Sequence, residues 1–147
     1  MLNRKLLECM KSKLNEVQRS PRKEVFTKGR EPQDFKIVSV EETKKRIKIQ
    51  FMKSGTLLPL EFWRLEKVIA IISKGGWVRL GTRFYAEDPS TIEWQLQDTA
   101  KKLYPNRRVD VKTAPHICDI LVLAGIAEYG FAQNPYTKRL NQAIKMR

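Results

Sequence analysis

The sequence predicts an α+β fold in which a small, mostly antiparallel sheet is backed by helices on one face. Stretches whose apolar residues recur every three or four positions predict helices, and shorter stretches with alternating apolar residues predict strands. The predicted order is helix, two strands, helix, strand, helix, short strand, helix, helix, which is typical of this class. The chain of 147 residues is long enough for one core, and we treat 1–147 as a single domain.

The first part of the chain predicts a helix followed by a connector. Apolar residues recur every three or four positions within residues 2–19. The Ser20–Pro21 pair ends this helix, because the residue before a proline is pushed out of the α region. Residues 22–33 are basic, lack periodicity and contain a glycine and a proline, so we expect a flexible basic connector there.

Residues 35–40 and 46–52 predict a β-hairpin joined by the sequence EETKK. In the second strand every other residue is apolar, which predicts a row that faces the core. The residues between them would point the opposite way: Arg46, Lys48 and Gln50.

Residues 55–76 predict a helix with Pro59 in its first turn and glycines at its end. Trp63 and Lys67 lie off the apolar stripe of this helix. An aromatic residue in that place either fills a seam between helices or meets a binding partner.

The stretch GGWVRLGTRFY, residues 75–85, predicts a strand with an unusual second face. Successive side chains of a strand point to opposite faces of the sheet. Val78, Leu80 and Phe84 would form the buried row. The opposite face would interleave aromatic residues with arginines: Trp77, Arg79, Gly81, Arg83 and Tyr85.

Charge gives this aromatic face a functional interpretation. The chain has 29 Lys and Arg against 16 Asp and Glu, a net charge of +13, which favours a polyanionic partner. Aromatic rings stack on unpaired bases at roughly 1–3 kcal/mol per base, while basic side chains contact phosphates. If the strand shares a sheet with the hairpin, we expect a non-enzymatic protein that binds single-stranded DNA or RNA. The alternative is that Trp77 and Tyr85 pack under the N-terminal helix. The candidate contacts are Trp77, Arg79, Arg83, Phe84, Tyr85, Arg46, Lys48, Trp63 and Lys67.

Three more helices are predicted in the second half of the chain. The first is capped by Asp88, with Pro89 as its first residue, or by Ser90 in a capping box with Glu93, and it ends at residues 104–106. The second covers residues 113–124. The third is short, with Asn134 as its cap and Pro135 as its first residue.

Other classes of protein lack support in the sequence. The longest apolar runs are too short to span a bilayer, and the N-terminus lacks the apolar region of a signal peptide. We therefore expect a cytoplasmic protein without a membrane partner. One histidine and two separated cysteines make no metal or cofactor site, and we expect no small-molecule substrate.

Two rival functions remain open. Asp110 and Lys112 have the D-x-K spacing of a Mg²⁺-dependent nuclease of the PD-(D/E)xK type, with Asp88 upstream as a further carboxylate. Residues 114–130 followed by a turn-rich stretch resemble the recognition helix and wing of a winged-helix duplex binder. That helix, however, carries few residues that read bases and has the composition of a core helix.

The size, the order of elements and the strand GGWVRLG resemble the single-stranded DNA-binding proteins of archaea of the ThermoDBP type. The resemblance implies a cleft that takes single strands without an OB fold. That cleft would lie around Trp77, Phe84 and Tyr85, with Arg79 and Arg83 beside it. Members that dimerise through a C-terminal leucine zipper have a long terminal helix, whereas the last helix predicted here is short. We therefore expect a monomer or a weak dimer.

Overall fold

The structure is a computed structural model that describes residues 2–25, 31–81, 88–106 and 112–147. The described residues form helices and two antiparallel sheets, which confirms the predicted α+β class. The helices are α1 (Arg4–Ser12), α2 (Phe62–Ile72), α3 (Ile92–Leu103) and α4 (Ala114–Leu123). The strands are β1 (Val17–Gln18), β2 (Phe35–Glu41), β3 (Arg46–Phe51), β4 (Leu57–Glu61), β5 (Val78–Arg79), β6 (Ala127–Gln133) and β7 (Leu140–Met146). None of the helices in these ranges has the length and apolar character that a bilayer crossing requires.

The N-terminal sheet has the strand order β1-β2-β3-β4. Its centre is the predicted hairpin, in which Ile47 and Ile49 are fully buried as the alternation of β3 requires. Ile47 lies opposite Leu60 of β4, and Ile49 lies opposite Ile37 of β2. One face of this sheet therefore joins the core, and the face that bears Arg46 and Lys48 points away from it.

Two of the predicted helices in the first half of the chain are shorter than expected. Within residues 55–76, the helix begins only at Phe62, because residues 57–61 pair with β3 as a strand. Pro59 lies in that strand at the edge of the sheet, where a proline is tolerated. The N-terminal helix ends at Ser12, and Asn15 then adopts a left-handed φ of 62° that no continuing helix permits.

The C-terminal sheet has the order β5-β7-β6, with all pairs antiparallel. The predicted helix after Asn134 is wrong, because β7 occupies most of that segment. The Asn134 side chain accepts hydrogen bonds from the backbone N–H groups of Tyr136 and Thr137, at 2.9 and 3.2 Å. An asparagine that caps a helix makes the same kind of hydrogen bond. Here the Asn134–Pro135 pair therefore marks the start of a turn and not of a helix.

A single apolar cluster joins the two sheets. It includes Ile47 and Ile49 of the first sheet, Ile144 of the second, and the buried sides of α2 and α4. Both sheets and the helices between them therefore share one core.

A buried carboxylate ties the N-terminal segment to this core. The Asp119 side chain on α4 is 1% exposed. It accepts hydrogen bonds from Ser20 Oγ at 2.7 Å, Arg22 Nε at 3.0 Å and Tyr129 Oη at 2.6 Å. Burial raises the pKa of Asp119, while Arg22 and the two hydroxyl groups act to lower it.

These contacts correct the expectation of a flexible connector over residues 22–33. Residues 21–25 form a short 3-10 helix, and Lys23 Nζ lies 2.6 Å from Asp34 Oδ1. The first part of the expected connector is therefore attached to the body of the protein. Residues 26–30 lie outside the described residues.

Replacing the buried carboxylate tests this attachment. We expect Asp119→Ala to lower the free energy of unfolding by about 3–5 kcal/mol, because it leaves the Arg22 charge without its partner. Urea unfolding measures the change. The control is Asp98→Ala on α3, whose pair with Lys102 is exposed and should contribute within about 0.5 kcal/mol. Equal losses in the two variants would contradict this role of Asp119.

Candidate nucleic-acid interface

The structure separates the candidate contacts into two sheets. Arg46 and Lys48 lie on β3 in the N-terminal sheet, whereas Trp77 directly precedes β5 of the C-terminal sheet. The expectation that they share one sheet face is therefore wrong. The sheet that a strand joins depends on its pairing with strands that are distant in the sequence, and no local pattern of residues predicts that pairing. Three further candidates lie outside the described residues: Arg83, Phe84 and Tyr85.

The charge of Arg46 is balanced within the protein. Arg46 Nε lies 2.7 Å from Glu41 Oε2, and Glu61 lies opposite Arg46 in the next strand. The hydrogen bond from Arg46 and its charge lower the pKa of Glu41, against a smaller effect of burial. Lys48 differs, because it forms no ion pair with any described residue and lies on the open face of the sheet.

Arg79 is a structural residue in this fold. Its side chain is 9% exposed and its guanidinium donates to the Asp88 carboxylate and, at 2.8 Å, to Ser90 Oγ. Burial acts to raise the pKa of Asp88, but the hydrogen bonds from Ser90 and Arg79 outweigh it and the net shift is downward. This pair attaches the start of α3 to β5, which corrects the expectation that Arg79 faces solvent.

The same pair bears on the nuclease alternative. The Asp88 carboxylate is occupied by protein donors, and Asp110 lies outside the described residues. Across the described ranges, no group of three or more metal-ligating side chains occurs. The part of the chain that the structure describes thus offers no built metal centre.

Trp63 belongs to a polar cluster at the start of α2. Its ring packs against the core and its Nε1 donates to Glu61 Oε2 at 3.2 Å. The Arg64 guanidinium lies 4.5 Å from the ring centroid and also donates to Glu61. Trp63 therefore fills a seam in the protein, which was one of its two interpretations. Lys67, one turn further on, is half-buried and forms no ion pair with a described residue.

Trp77 is the candidate aromatic that the structure leaves open, with 40% of its area exposed. It points away from the core, because the next residue, Val78, pairs with the buried Ile144. Its six-membered ring lies against Gly130 of β6. A Cβ atom at Gly130 would come within 2.5 Å of the ring, so a glycine is needed there.

The ammonium group of Lys145 lies over the indole ring of Trp77. Lys145 Nζ lies 4.7 Å from the centroid of the Trp77 ring, which is a cation–π contact. The same ammonium group lies 3.4 Å from Glu128 Oε1. The outer face of the C-terminal sheet thus pairs an aromatic ring with a positive charge.

The turn between β6 and β7 carries a second aromatic and more charge. Tyr136 is 76% exposed and Leu140 is 69% exposed. Lys138 and Arg139 are exposed and form no ion pair with a described residue. Sequence reasoning missed this site because it assigned the segment to a helix, although the run NPYTKR is a usable turn signal.

We call the exposed aromatic, apolar and basic residues of this region the hairpin surface. Of its members, Trp77 and Lys145 lie on the outer face of the sheet, Phe131 and Leu140 lie on the opposite face, and Tyr136, Lys138 and Arg139 lie in the connection between β6 and β7. In the sequence, no acidic residue follows Glu128. The hairpin surface is therefore strongly positive apart from the one carboxylate beside Lys145.

The helix of the winged-helix alternative is enclosed. On α4 the residues from Ile117 to Leu121 are buried, and the helix packs against α2, α3, β6 and the 3-10 helix. The ring of His116 lies 4.8 Å from that of Phe51. Burial, with the nearby charges of Arg22 and Lys112, lowers the pKa of His116 to about 3. As its composition indicated, α4 is a core helix and has no free side to enter a groove.

Comparison with protein-family models, with curated proteins and with solved structures gives no match. The resemblance to the ThermoDBP type therefore stays a prediction. Support for a function comes from the exposed rings and charges of the hairpin surface.

The contact between Trp77 and Gly130 can be tested by a double-mutant cycle. We expect Gly130→Ala to lower the free energy of unfolding by about 1–3 kcal/mol, because the new methyl group overlaps the indole. In a Trp77→Ala background that cost should disappear. Urea unfolding of the wild type, both single variants and the double variant gives the coupling energy. Additive effects within about 0.5 kcal/mol would contradict the contact.

Proposed function

We propose that this protein is a non-enzymatic nucleic-acid-binding protein whose contacts lie on the hairpin surface. Its preferred ligand is single-stranded DNA or RNA. The observation that carries the proposal is the pair of exposed rings, Trp77 with Lys145 over it and Tyr136 in the same turn as the exposed Lys138 and Arg139.

The choice of single strands follows from what the surface exposes. A ring stacks on the face of a base, and those faces are free in a single strand but covered in a duplex. The exposed tip cations, Lys138 and Arg139, are placed to contact phosphates of the same strand. When a base stacks on the indole, the ammonium group of Lys145 can move from the ring to a phosphate, because an aromatic ring and a phosphate are both favourable partners for an ammonium group.

The N-terminal sheet supports this function less well. Its open face has Lys36 and Lys48 without ion pairs to described residues, but its exposed apolar residues are aliphatic. Val17 and Leu57 are 62% and 54% exposed, and neither offers a ring for stacking. We assign this face a supporting electrostatic role.

A duplex-binding function is the second candidate, because the connectivity favours it. The described elements from α2 onwards run helix, strand, helix, helix, strand, turn, strand, and β7 lies between β5 and β6. This is the order of a winged-helix domain, in which the β6–β7 turn is the wing. Since α4 is enclosed, any duplex contact would use the wing and not the recognition helix.

Loss of the indole should weaken binding to single strands. We expect Trp77→Ala to reduce affinity for an unstructured DNA strand and for the matching RNA about tenfold, and for the matching duplex much less. Anisotropy titration of labelled strands in EDTA measures this. The control is Leu57→Ala, which removes a side chain of the other sheet that is 54% exposed, against 40% for Trp77. Unchanged affinity for single strands in Trp77→Ala would overturn the stacking role.

The tip cations should set the salt dependence. We expect the double variant Lys138→Gln, Arg139→Gln to lower the slope of log K against log salt by about 1.4 for a single strand, because each phosphate contact contributes about 0.7. The matched control is Lys45→Gln, Lys53→Gln. These are also exposed turn residues without ion pairs to described residues, and Lys45 shares the left-handed φ of Lys138. Equal changes of the salt slope in the two variants would show that the slope depends on the total charge of the protein and not on the position of Lys138 and Arg139, which would contradict the prediction.

A further inference from the structure

We infer that the tip of the β6–β7 hairpin recognises the end of a duplex where a single strand begins, so that the preferred ligand is an overhang. This inference rests on the proposed function, because the single strand of the overhang would lie on Trp77. It adds a distinct site, formed by Tyr136 and Leu140, for the terminal base pair.

The first support is that the hairpin projects beyond the core. Residues 140, 142 and 144 of β7 face the same side of the sheet. Ile144 is fully buried, Gln142 is half-buried and Leu140 is 69% exposed. Along β6, the buried Ala127 and the half-buried Tyr129 are followed on the same side by Phe131, which is 38% exposed. The outer half of the hairpin therefore stands clear of the body with its apolar residues uncovered.

The second support is that the tip is held in one conformation although it is exposed. Within the turn, Asn134 N–H donates to the Arg139 carbonyl and Lys138 N–H donates to the Asn134 carbonyl, both at 2.8 Å. The Asn134 side-chain amide donates to Asn141 Oδ1 at 3.1 Å, and that of Gln133 donates to the Lys138 carbonyl at 3.2 Å. These bonds are additional to the two that the side-chain Oδ1 of Asn134 accepts from the backbone N–H groups of Tyr136 and Thr137. A tip fixed in this way loses little conformational entropy on binding.

The third support is the chemistry of the exposed residues. Inside a duplex each base pair is covered above and below, whereas at the end or at a junction one face of the last pair is open. A rigid tip with an aromatic and an aliphatic side chain fits that open face by stacking and apolar contact. Lys138 and Arg139 then lie close to the phosphates of the strands that flank the junction.

The distance between the two rings suits one continuous ligand. The Trp77 ring lies over Gly130, and Tyr136 is six residues further along the chain. At about 3.3 Å per residue this is at most about 20 Å. About six stacked nucleotides at 3.4 Å each cover that span. An overhang of this length could reach Trp77 while its duplex end meets the tip.

The experiment compares four labelled DNA probes by anisotropy in EDTA. They are a single strand, a closed circular duplex without ends, a blunt duplex, and a duplex with an eight-nucleotide overhang at one end. For the wild type, we expect the overhang probe to bind about tenfold more tightly than the single strand and more tightly still than either duplex. For the double variant Tyr136→Ala, Leu140→Ala we expect the ratio of overhang affinity to single-strand affinity to fall from about ten to about one, whatever Tyr136 itself contributes to the single strand. Both residues are exposed, so thermal unfolding should show an unchanged fold.

The outcomes separate this inference from the proposed function. Equal binding of overhang and single strand, both weakened by Trp77→Ala, overturns the junction site and leaves the proposed function standing. Binding of the circular duplex as tight as that of the overhang also overturns it, in favour of insertion of the tip into a groove. No binding to any probe overturns both. Shorter overhangs provide the supporting measurement, since the advantage should fall when the strand can no longer reach Trp77.

Discussion

The structure depends on one buried carboxylate. Asp119 lies on α4 in the interior, where an unsatisfied charge would cost several kcal/mol, and it accepts hydrogen bonds from three side chains in two separate parts of the chain. Ser20 and Arg22 attach the segment after the N-terminal helix to α4. Tyr129 attaches β6 to the same point. The inner half of the β6–β7 hairpin is therefore fixed to the core, while its outer half is free to project.

This arrangement explains why the surface that we propose for binding lies on a hairpin. The three-helix and three-strand connectivity of the C-terminal part would, in a winged helix, leave one helix free for the major groove. Here α2, α3, β6 and the 3-10 helix pack against α4, and its residues form part of the core. The outer face of the C-terminal sheet and the tip of its β6–β7 hairpin, by contrast, are exposed, held by hydrogen bonds and positively charged. In the function that we propose, the net charge of +13 would supply attraction at long range and the two rings of the hairpin surface the short-range contact.

Local patterns in the sequence predicted the elements that local physics determines. Alternation predicted β2 and β3, and periodicity predicted α3, α4 and the second half of α2 within a few residues. Residues 57–61 contain Pro59, and residues 140–146 follow Pro135. Because a proline also suits the first turn of a helix, the sequence pattern predicts helices in both segments. Each segment pairs with the strand just before it as a hairpin, β4 with β3 and β7 with β6, and the pairing of β7 with β5 is the one that is distant in the sequence.

The candidate site was predictable in part for the same reason. The sequence singled out Trp77 as an aromatic beside positive charge, but the cation that lies over its ring is Lys145, from the far end of the sequence. Arg79 alternates with Trp77 as the pattern requires, yet it pairs with Asp88, nine residues later. No rule of spacing could distinguish a free arginine from a paired one. Tyr136, Lys138 and Arg139 became visible as a site only when the turn was known.

The most direct test of the account is photo-crosslinking to a DNA strand that carries 5-iododeoxyuridine, followed by mass spectrometry of the peptides. Iodouracil crosslinks to aromatic side chains that stack on it, so the crosslinked residue reports base contact and not charge alone. The account predicts adducts at Trp77 and Tyr136, both on the hairpin surface. Adducts confined to aromatic residues near the N-terminal sheet, or binding without any adduct on the hairpin surface, would contradict it.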